Sequence, residues 1–148
     1  MSIDPQLFLD MGRQVLASQP FSALLGATIL ALEPGRCEMQ APITGQLRQQ
    51  NGLAHGGVVS YLADNALTFA GGTAQHVPVV TAEFKINSLR PALGERLVVR
   101  ARAVHEGKTQ AVCRCEVFAV TGMQGKLCAI TQGTMMKLPD VANEAEKT

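Results

Sequence analysis

Three polar residues at four-residue spacing interrupt an apolar segment near the middle of the 148-residue chain. Ser60, Asp64 and Thr68 lie within NGLAHGGVVSYLADNALTFAGG, whose other residues are mostly apolar or small. Residues four positions apart lie on one face of a helix, so these side chains predict a single polar stripe. Because a carboxylate is costly to bury, Asp64 either fixes packing through a hydrogen bond or takes part in chemistry.

Two glycines precede the stripe at the start of the same predicted helix. The first amides of a helix have no acceptor within it, and the helix dipole makes that end positive. Because Gly56 and Gly57 have no Cβ, a ligand can approach these amides closely. An amide aimed at a carbonyl oxygen stabilises the oxyanion of acyl transfer. Together with Asp64, the glycines predict acyl-transfer chemistry, although a tight turn into the helix would also explain them.

A helix and a hairpin precede this central segment. Asp4 and Pro5 are typical of a helix start and predict a first helix over residues of about 5–17. The predicted apolar stripe of this helix is Leu7, Phe8, Met11 and Val15. Two extended runs then flank a Pro34-Gly35 turn, which predicts a β-hairpin.

The central helix is predicted over residues of about 56–70, ending at Gly71-Gly72, after a polar, loop-like stretch. Four runs of alternating apolar residues follow, and the short turns between them predict antiparallel neighbours. A sheet with one face to cover and a helix that is apolar nearly all round predict an α+β hotdog fold, in which the sheet wraps the helix. The prediction is a single domain over residues 1–138 and a disordered tail over 139–148.

The composition sets limits on function. The chain is 47% hydrophobic and 17% charged, with a net charge of +1, so we expect no nucleic-acid or membrane partner. It has no signal-like N-terminus and no apolar run near the roughly 18 residues of a membrane span, so the expected location is cytoplasmic. Its four cysteines lie outside any CxxC pair and predict buried thiols rather than disulfides or a metal site.

The spacing of the polar residues resembles that of the PaaI-like acyl-CoA thioesterases of the hotdog superfamily. His55-Gly56-Gly57, an acid nine residues after the histidine, and the SLRPA segment at residues 88–92 carry the resemblance, which covers about residues 20–138. It implies that Asp64 is the nucleophile or general base, that the Gly56 amide is the oxyanion donor, and that His55 supports the loop.

The resemblance also implies further site residues. Gln49, six residues before the histidine, would hold the thioester or the attacking water, and Thr68 would orient water. We expect Gly57 and Arg90 to contact the substrate, and we add Lys108 only because it is a charge at a turn. The implied activity is hydrolysis of an aryl- or medium-chain acyl-CoA thioester, with no metal and no cofactor beyond the CoA of the substrate.

Two other functions fit a hotdog domain: a non-catalytic acyl-CoA-binding module, and a hydratase or dehydratase of acyl thioesters. A hydratase needs a general acid–base pair, usually with a histidine near the α and β carbons. The set Gln49, His55, Gly56, Asp64 and Thr68 favours hydrolysis over both.

The spacing along the helix also predicts self-association. At about 1.5 Å per residue, Gly56 and Asp64 stand about 12 Å apart along the axis. An oxyanion donor and an attacking group must nevertheless both reach one carbonyl. Two copies of the helix packed antiparallel would set each Asp64 beside the other copy's Gly56. We therefore predict a homodimer, or a dimer of dimers, with sites shared between chains.

Overall fold

The computed structural model describes residues 2–139, so most of the predicted tail lies outside the described residues. The elements of this part of the chain are α1 Pro5–Ala17, α2 Pro20–Leu25, β1 Thr28–Glu33, β2 Arg36–Pro42, a 3₁₀ turn Gly45–Leu47, α3 Gly56–Gln75, β3 Val79–Ser88, β4 Arg96–Glu106, β5 Gln110–Thr121 and β6 Gln124–Lys137.

One antiparallel sheet wraps α3, which confirms the predicted hotdog fold. The six strands lie in the order β1-β2-β4-β5-β6-β3. The face of α3 that meets the sheet is fully buried at Leu62, Ala63, Ala66 and Leu67. Alternate residues of β5 point towards this helix, and they include Cys113 and Cys115, which are buried free thiols. The helix supplies the centre of the core because its apolar surface is continuous on that side.

The prediction that β3 neighbours β4 is wrong, since β3 pairs with β6. Residues 89–95 do not turn back on β3 but cross the ends of β6 and β5. The Leu89 N–H donates to the Cys128 carbonyl at 2.8 Å, and the Glu95 N–H donates to the Val120 carbonyl at 2.8 Å. This crossing places β3 at the edge of the sheet, with a strand on one side only.

The predicted end of α3 at Gly71-Gly72 is also wrong, because the helix continues to Gln75. It ends at His76, whose φ of 54° lies in the left-handed region typical of helix C-termini. A Cβ on Gly71 would stand 2.8 Å from the Met135 side chain. That glycine therefore serves the close approach of helix to sheet and is not a stop signal.

The extent of α1 is as predicted, but its buried face is not. The Asp4 carboxylate caps the helix by accepting from the Gln6 and Leu7 amides. Of the predicted stripe, Leu7, Met11 and Val15 are exposed. Gly12 and Leu16 face the core instead, because the missing Cβ of Gly12 lets the helix rest on Leu32 of β1.

The short helix α2 was not predicted. It begins at Pro20 and ends at Gly26, whose φ is 71°. Its Ser22 is buried and lies in a polar cluster with Tyr61 and Asn65 of α3: the Tyr61 hydroxyl donates to Ser22 Oγ, and Asn65 Nδ2 donates to it at 3.2 Å. These contacts fix α2 against α3 beside the polar stripe.

Candidate active site

The two glycines at the start of α3 have different hydrogen-bond environments. His55 is the N-cap, and its Nδ1 accepts from the Gly57 N–H at 2.8 Å. The Gly56 N–H has no acceptor within residues 2–139. A Cβ on Gly56 would meet nothing within 4 Å, whereas one on Gly57 would stand 2.9 Å from His55 Nδ1. The Gly56 amide is thus open to a ligand, while the Gly57 amide is engaged by the cap.

A tight turn before the helix positions Gln49. The Gln49 N–H donates to the Leu53 carbonyl at 2.8 Å, and Gly52 closes the turn with a φ of 82°. The Gln49 side-chain oxygen accepts from the Asn51 N–H. Because its oxygen is engaged in this way, the carboxamide has its NH₂ group left to donate to a ligand.

A pocket of about 440 Å³ brings three of the sequence-predicted residues together. Gln49 and Gly56 line it, and so does Arg90 on the segment after β3. Cys128 of β6 also contributes to the lining. Burial raises the pKa of the Cys128 thiol, although backbone hydrogen bonds and the nearby Arg90 act in the opposite direction. The thiol is therefore protonated at neutral pH, and the exposed Arg90 provides a cation beside the pocket.

Asp64 and Thr68 do not line this pocket. Asp64 is half-buried two turns further along α3, and its Oδ1 accepts from the Thr81 hydroxyl of β3 at 2.6 Å. The Thr68 hydroxyl donates to the Asp64 backbone carbonyl at 2.9 Å and lies 3.3 Å from the Thr81 hydroxyl. Within one chain, the Asp64 carboxylate therefore lies outside the pocket that the open Gly56 amide lines.

Sequence reasoning missed Thr81 because a β-bulge changes the face of the strand. Simple alternation in β3 places Val80, Phe84 and Ile86 on one face and Thr81 with Lys85 on the other. The register of β3 with β6 shifts between Thr81 and Glu83. The bulge lets Thr81 and Phe84 both point towards α3, which alternation alone cannot predict.

Lys108 lies away from the pocket within the chain. It is exposed in the turn between β4 and β5, at the end of the sheet where α3 finishes. The Gln75 side chain, in the last turn of α3, donates to the Gly107 carbonyl beside it at 3.1 Å. The pocket is at the opposite end of α3, around Gly56.

The described residues also bear on metal binding and on membrane crossing. Residues 2–139 hold no group of three or more His, Cys, Asp or Glu side chains placed to bind a metal ion. None of the helices in this range is both long and apolar enough to cross a membrane.

Comparison with known proteins gives one consistent result. Residues 51–126, about half of the chain, match the sequence pattern of the Thioesterase superfamily. Human acyl-coenzyme A thioesterase 13 is 32% identical over 109 residues, covering 72% of this chain and 78% of that protein. Escherichia coli acyl-coenzyme A thioesterase PaaI is 29% identical over 110 residues, covering 74% and 76%. The crystal structure of a thioesterase family protein from Silicibacter pomeroyi has a TM-score of 0.81 at 37% identity, covering 86% of this chain and 96% of that one.

Proposed function

Because the chain belongs to the Thioesterase superfamily and is a PaaI-like thioester hydrolase of the hotdog fold, we propose that its substrate is an acyl-CoA. Two relatives are named as acyl-coenzyme A thioesterases, which supports this substrate class. The exposed Arg90 at the pocket is suited to a phosphate of CoA. We further propose that the acyl group is aryl or of medium chain length.

The observation that carries the proposed mechanism is the open Gly56 amide at the positive end of a buried helix. This N–H donates to the thioester oxygen as it becomes an oxyanion, a contribution of roughly 2.7–4 kcal/mol. Gln49 donates from its carboxamide to the same substrate, and His55 keeps the turn in place. Asp64 attacks the carbonyl carbon or takes a proton from an attacking water, and the CoA sulfur leaves as a thiolate.

The carboxylate in each site comes from the partner subunit in this proposal. Asp64 stands about 12 Å along the helix axis from Gly56 of its own chain. It is not among the residues that line the pocket around Gly56. The ten-residue strand β3 has an unpaired outer edge, which is suited to strand pairing with a second copy. Pairing there brings together the faces of α3 that carry Asp64, so the dimer forms two shared sites.

A thiol-release assay over a panel of acyl-CoAs tests the activity. Wild type should release CoA from at least one aryl- or medium-chain acyl-CoA, and Asp64→Asn should lose most of kcat while keeping its fold. Asp10→Asn, which changes an exposed carboxylate of α1, serves as the matched control and should keep wild-type turnover. CoA binding without turnover on any substrate would favour a binding module, and hydration of an enoyl-CoA would favour a hydratase.

Isotope labelling separates the two roles open to Asp64. If the carboxylate is the nucleophile, its attack forms an acyl–aspartyl anhydride, and ¹⁸O water that attacks the aspartyl carbon of this anhydride leaves the label in Asp64. If it is a general base, the label goes directly into the released acid. Label detected by mass spectrometry in the peptide containing residue 64 would therefore identify the carboxylate as the nucleophile.

A further inference from the structure

The outer face of the sheet, away from α3, carries a row of cationic side chains in direct cross-strand register. Arg36 of β2 is opposite Arg102 of β4, and Arg102 is opposite Arg114 of β5. The row continues through Gln132 of β6 to Lys85 of β3. All five side chains are exposed, and we call them the arginine row.

Few groups compensate these charges. Arg36 lies 3.8 Å from Glu33, but both side chains are more than half exposed, so this ion pair is weak. Arg114 donates to the neutral Gln132 side chain at 2.8 Å. Neither Arg102 nor Lys85 has a carboxylate partner within residues 2–139. Like charges placed directly opposite on neighbouring strands destabilise a sheet, so the arginine row costs stability in the free protein.

The neighbouring row carries two carboxylates and one guanidinium group. Glu38, Arg100 and Glu116 are opposed across the same three strands, so their charges alternate in sign. Arg100 also lies 3.4 Å from Glu38 and 5.2 Å from the centre of the Phe118 ring. The positive excess of this face is therefore concentrated in the arginine row, although the whole chain carries a net charge of only +1.

A groove of about 950 Å³ runs between these two rows. Residues of both rows line it, together with buried residues between them such as Cys37, Ala101 and Cys115. The pocket at Gly56 lies on the other face of the sheet and shares no residue with this groove. The groove is thus a second concave surface with its own charge.

We propose that this groove binds a small molecule that carries two or more linked phosphate groups. Planar guanidinium groups bind phosphate oxygens in pairs, which makes arginine well suited to this chemistry. Neighbouring strands lie about 4.8 Å apart, so linked phosphates can contact adjacent members of the arginine row. Binding would also neutralise the repulsion between Arg102 and the two arginines opposite it, Arg36 and Arg114. Loss of this repulsion favours the bound state.

Titration of the full-length protein with inorganic tripolyphosphate at low salt tests this proposal. We expect binding that weakens as salt is added, and Arg102→Gln or Arg114→Gln should each weaken it by about tenfold or more. Arg102→Gln should also raise the unfolding midpoint of the ligand-free protein, because it removes repulsion. Arg96→Gln is the matched control on the same strand. Its guanidinium donates to the Gly122 carbonyl outside the row, so tripolyphosphate binding should be unchanged.

Four results would overturn the proposal. One is an absence of tripolyphosphate binding to wild type. The second is equal binding to wild type and to Arg102→Gln. The third is loss of binding in Arg90→Ala rather than Arg102→Gln, since that would place the anion at the pocket on the other face. The fourth is dissociation of the assembly in Arg102→Glu, since that would show that a second copy covers this face.

Discussion

At the scale of single residues, His55 determines which amide at the start of α3 is free. Its Nδ1 holds the Gly57 N–H and leaves the Gly56 N–H open. Of these two amides, only the Gly56 N–H is therefore available to donate a hydrogen bond to a ligand. The two adjacent glycines should respond differently to the same substitution.

Gly57→Ala should mainly reduce stability, and Gly56→Ala should mainly reduce activity. A methyl group on Gly57 would crowd His55 Nδ1 at 2.9 Å and disturb the cap, at a cost of about 1 kcal/mol. A methyl group on Gly56 meets no atom of the chain but displaces the substrate carbonyl, so kcat/KM should fall about 100-fold. Urea unfolding and steady-state kinetics check the pair. Equal effects of both substitutions on stability would contradict the division of roles.

Thr81→Val should lower kcat about tenfold with little change in KM. The substitution keeps the shape of the side chain but removes the 2.6 Å hydrogen bond that orients the Asp64 carboxylate. Thr81→Ser retains the hydroxyl and should restore most of the turnover, which separates positioning from packing. If Thr81→Ser is as slow as Thr81→Val, the hydroxyl does not position the acid.

The sequence allowed Asp64 and Gly56 to be proposed as site residues because their spacing is local to one helix, whereas Gln49 was proposed only from the family resemblance. Thr81 could not be found in the same way. Its role depends on a bulge whose position is defined by pairing with β6, and no local pattern in β3 reveals that pairing. Whether the site residues act as proposed stays a prediction for the experiments above.

At the scale of elements, close contact between α3 and the sheet depends on Gly71. Gly71→Ala should destabilise the fold by roughly 1–3 kcal/mol, because the added methyl group would stand 2.8 Å from Met135. Gly72→Ala is the matched control, with a contact of 3.4 Å, and its better helix propensity should offset that contact. Chemical denaturation measures both variants. Equal stability of the two would mean that helix and sheet separate easily at this point.

The buried thiol of Cys115 should make the fold sensitive to alkali. Burial raises its pKa from 9.0 to about 12. Between these values the unfolded chain releases the thiol proton while the folded chain keeps it. Stability therefore falls as pH rises above about 9, by about 1.4 kcal/mol per pH unit. Cys115→Ala should lose about 2 kcal/mol less than wild type between pH 8 and 10.5 in urea unfolding. Parallel losses in the two proteins would contradict this origin of the sensitivity.

The elements themselves were predictable to different degrees. Local signals at Asp4 and at Pro34-Gly35 correctly indicated α1 and the first hairpin, because caps and turns act over a few residues. The neighbour of β3 was not predictable from turn length, because the segment after it crosses two strand ends. The buried face of α1 depends on a contact between Gly12 and a distant strand, which the apolar stripe did not reveal.

At the scale of the whole molecule, subunit mixing tests the shared site. Asp64→Ala and Gln49→Ala subunits, each nearly inactive alone, are mixed under conditions that exchange chains. Half of the dimers should then contain one of each, and each mixed dimer has one intact site. Activity should return to about a quarter of the wild-type value. A mixture that stays inactive despite verified exchange would mean that each site is built within one chain.

The pairing of β3 with β6 also determines the order in which the enzyme becomes functional during synthesis. Thr81 and Met135 are close in the fold but 54 residues apart in the chain. The ribosome therefore releases α3, the Gly56 turn and β3 well before the strand against which β3 is aligned. Until β6 emerges, no neighbour fixes the bulge that points Thr81 at Asp64. A nascent or truncated chain without β6 contains Gln49, Gly56, Asp64 and Thr81. We nevertheless expect such a chain to lack hydrolase activity.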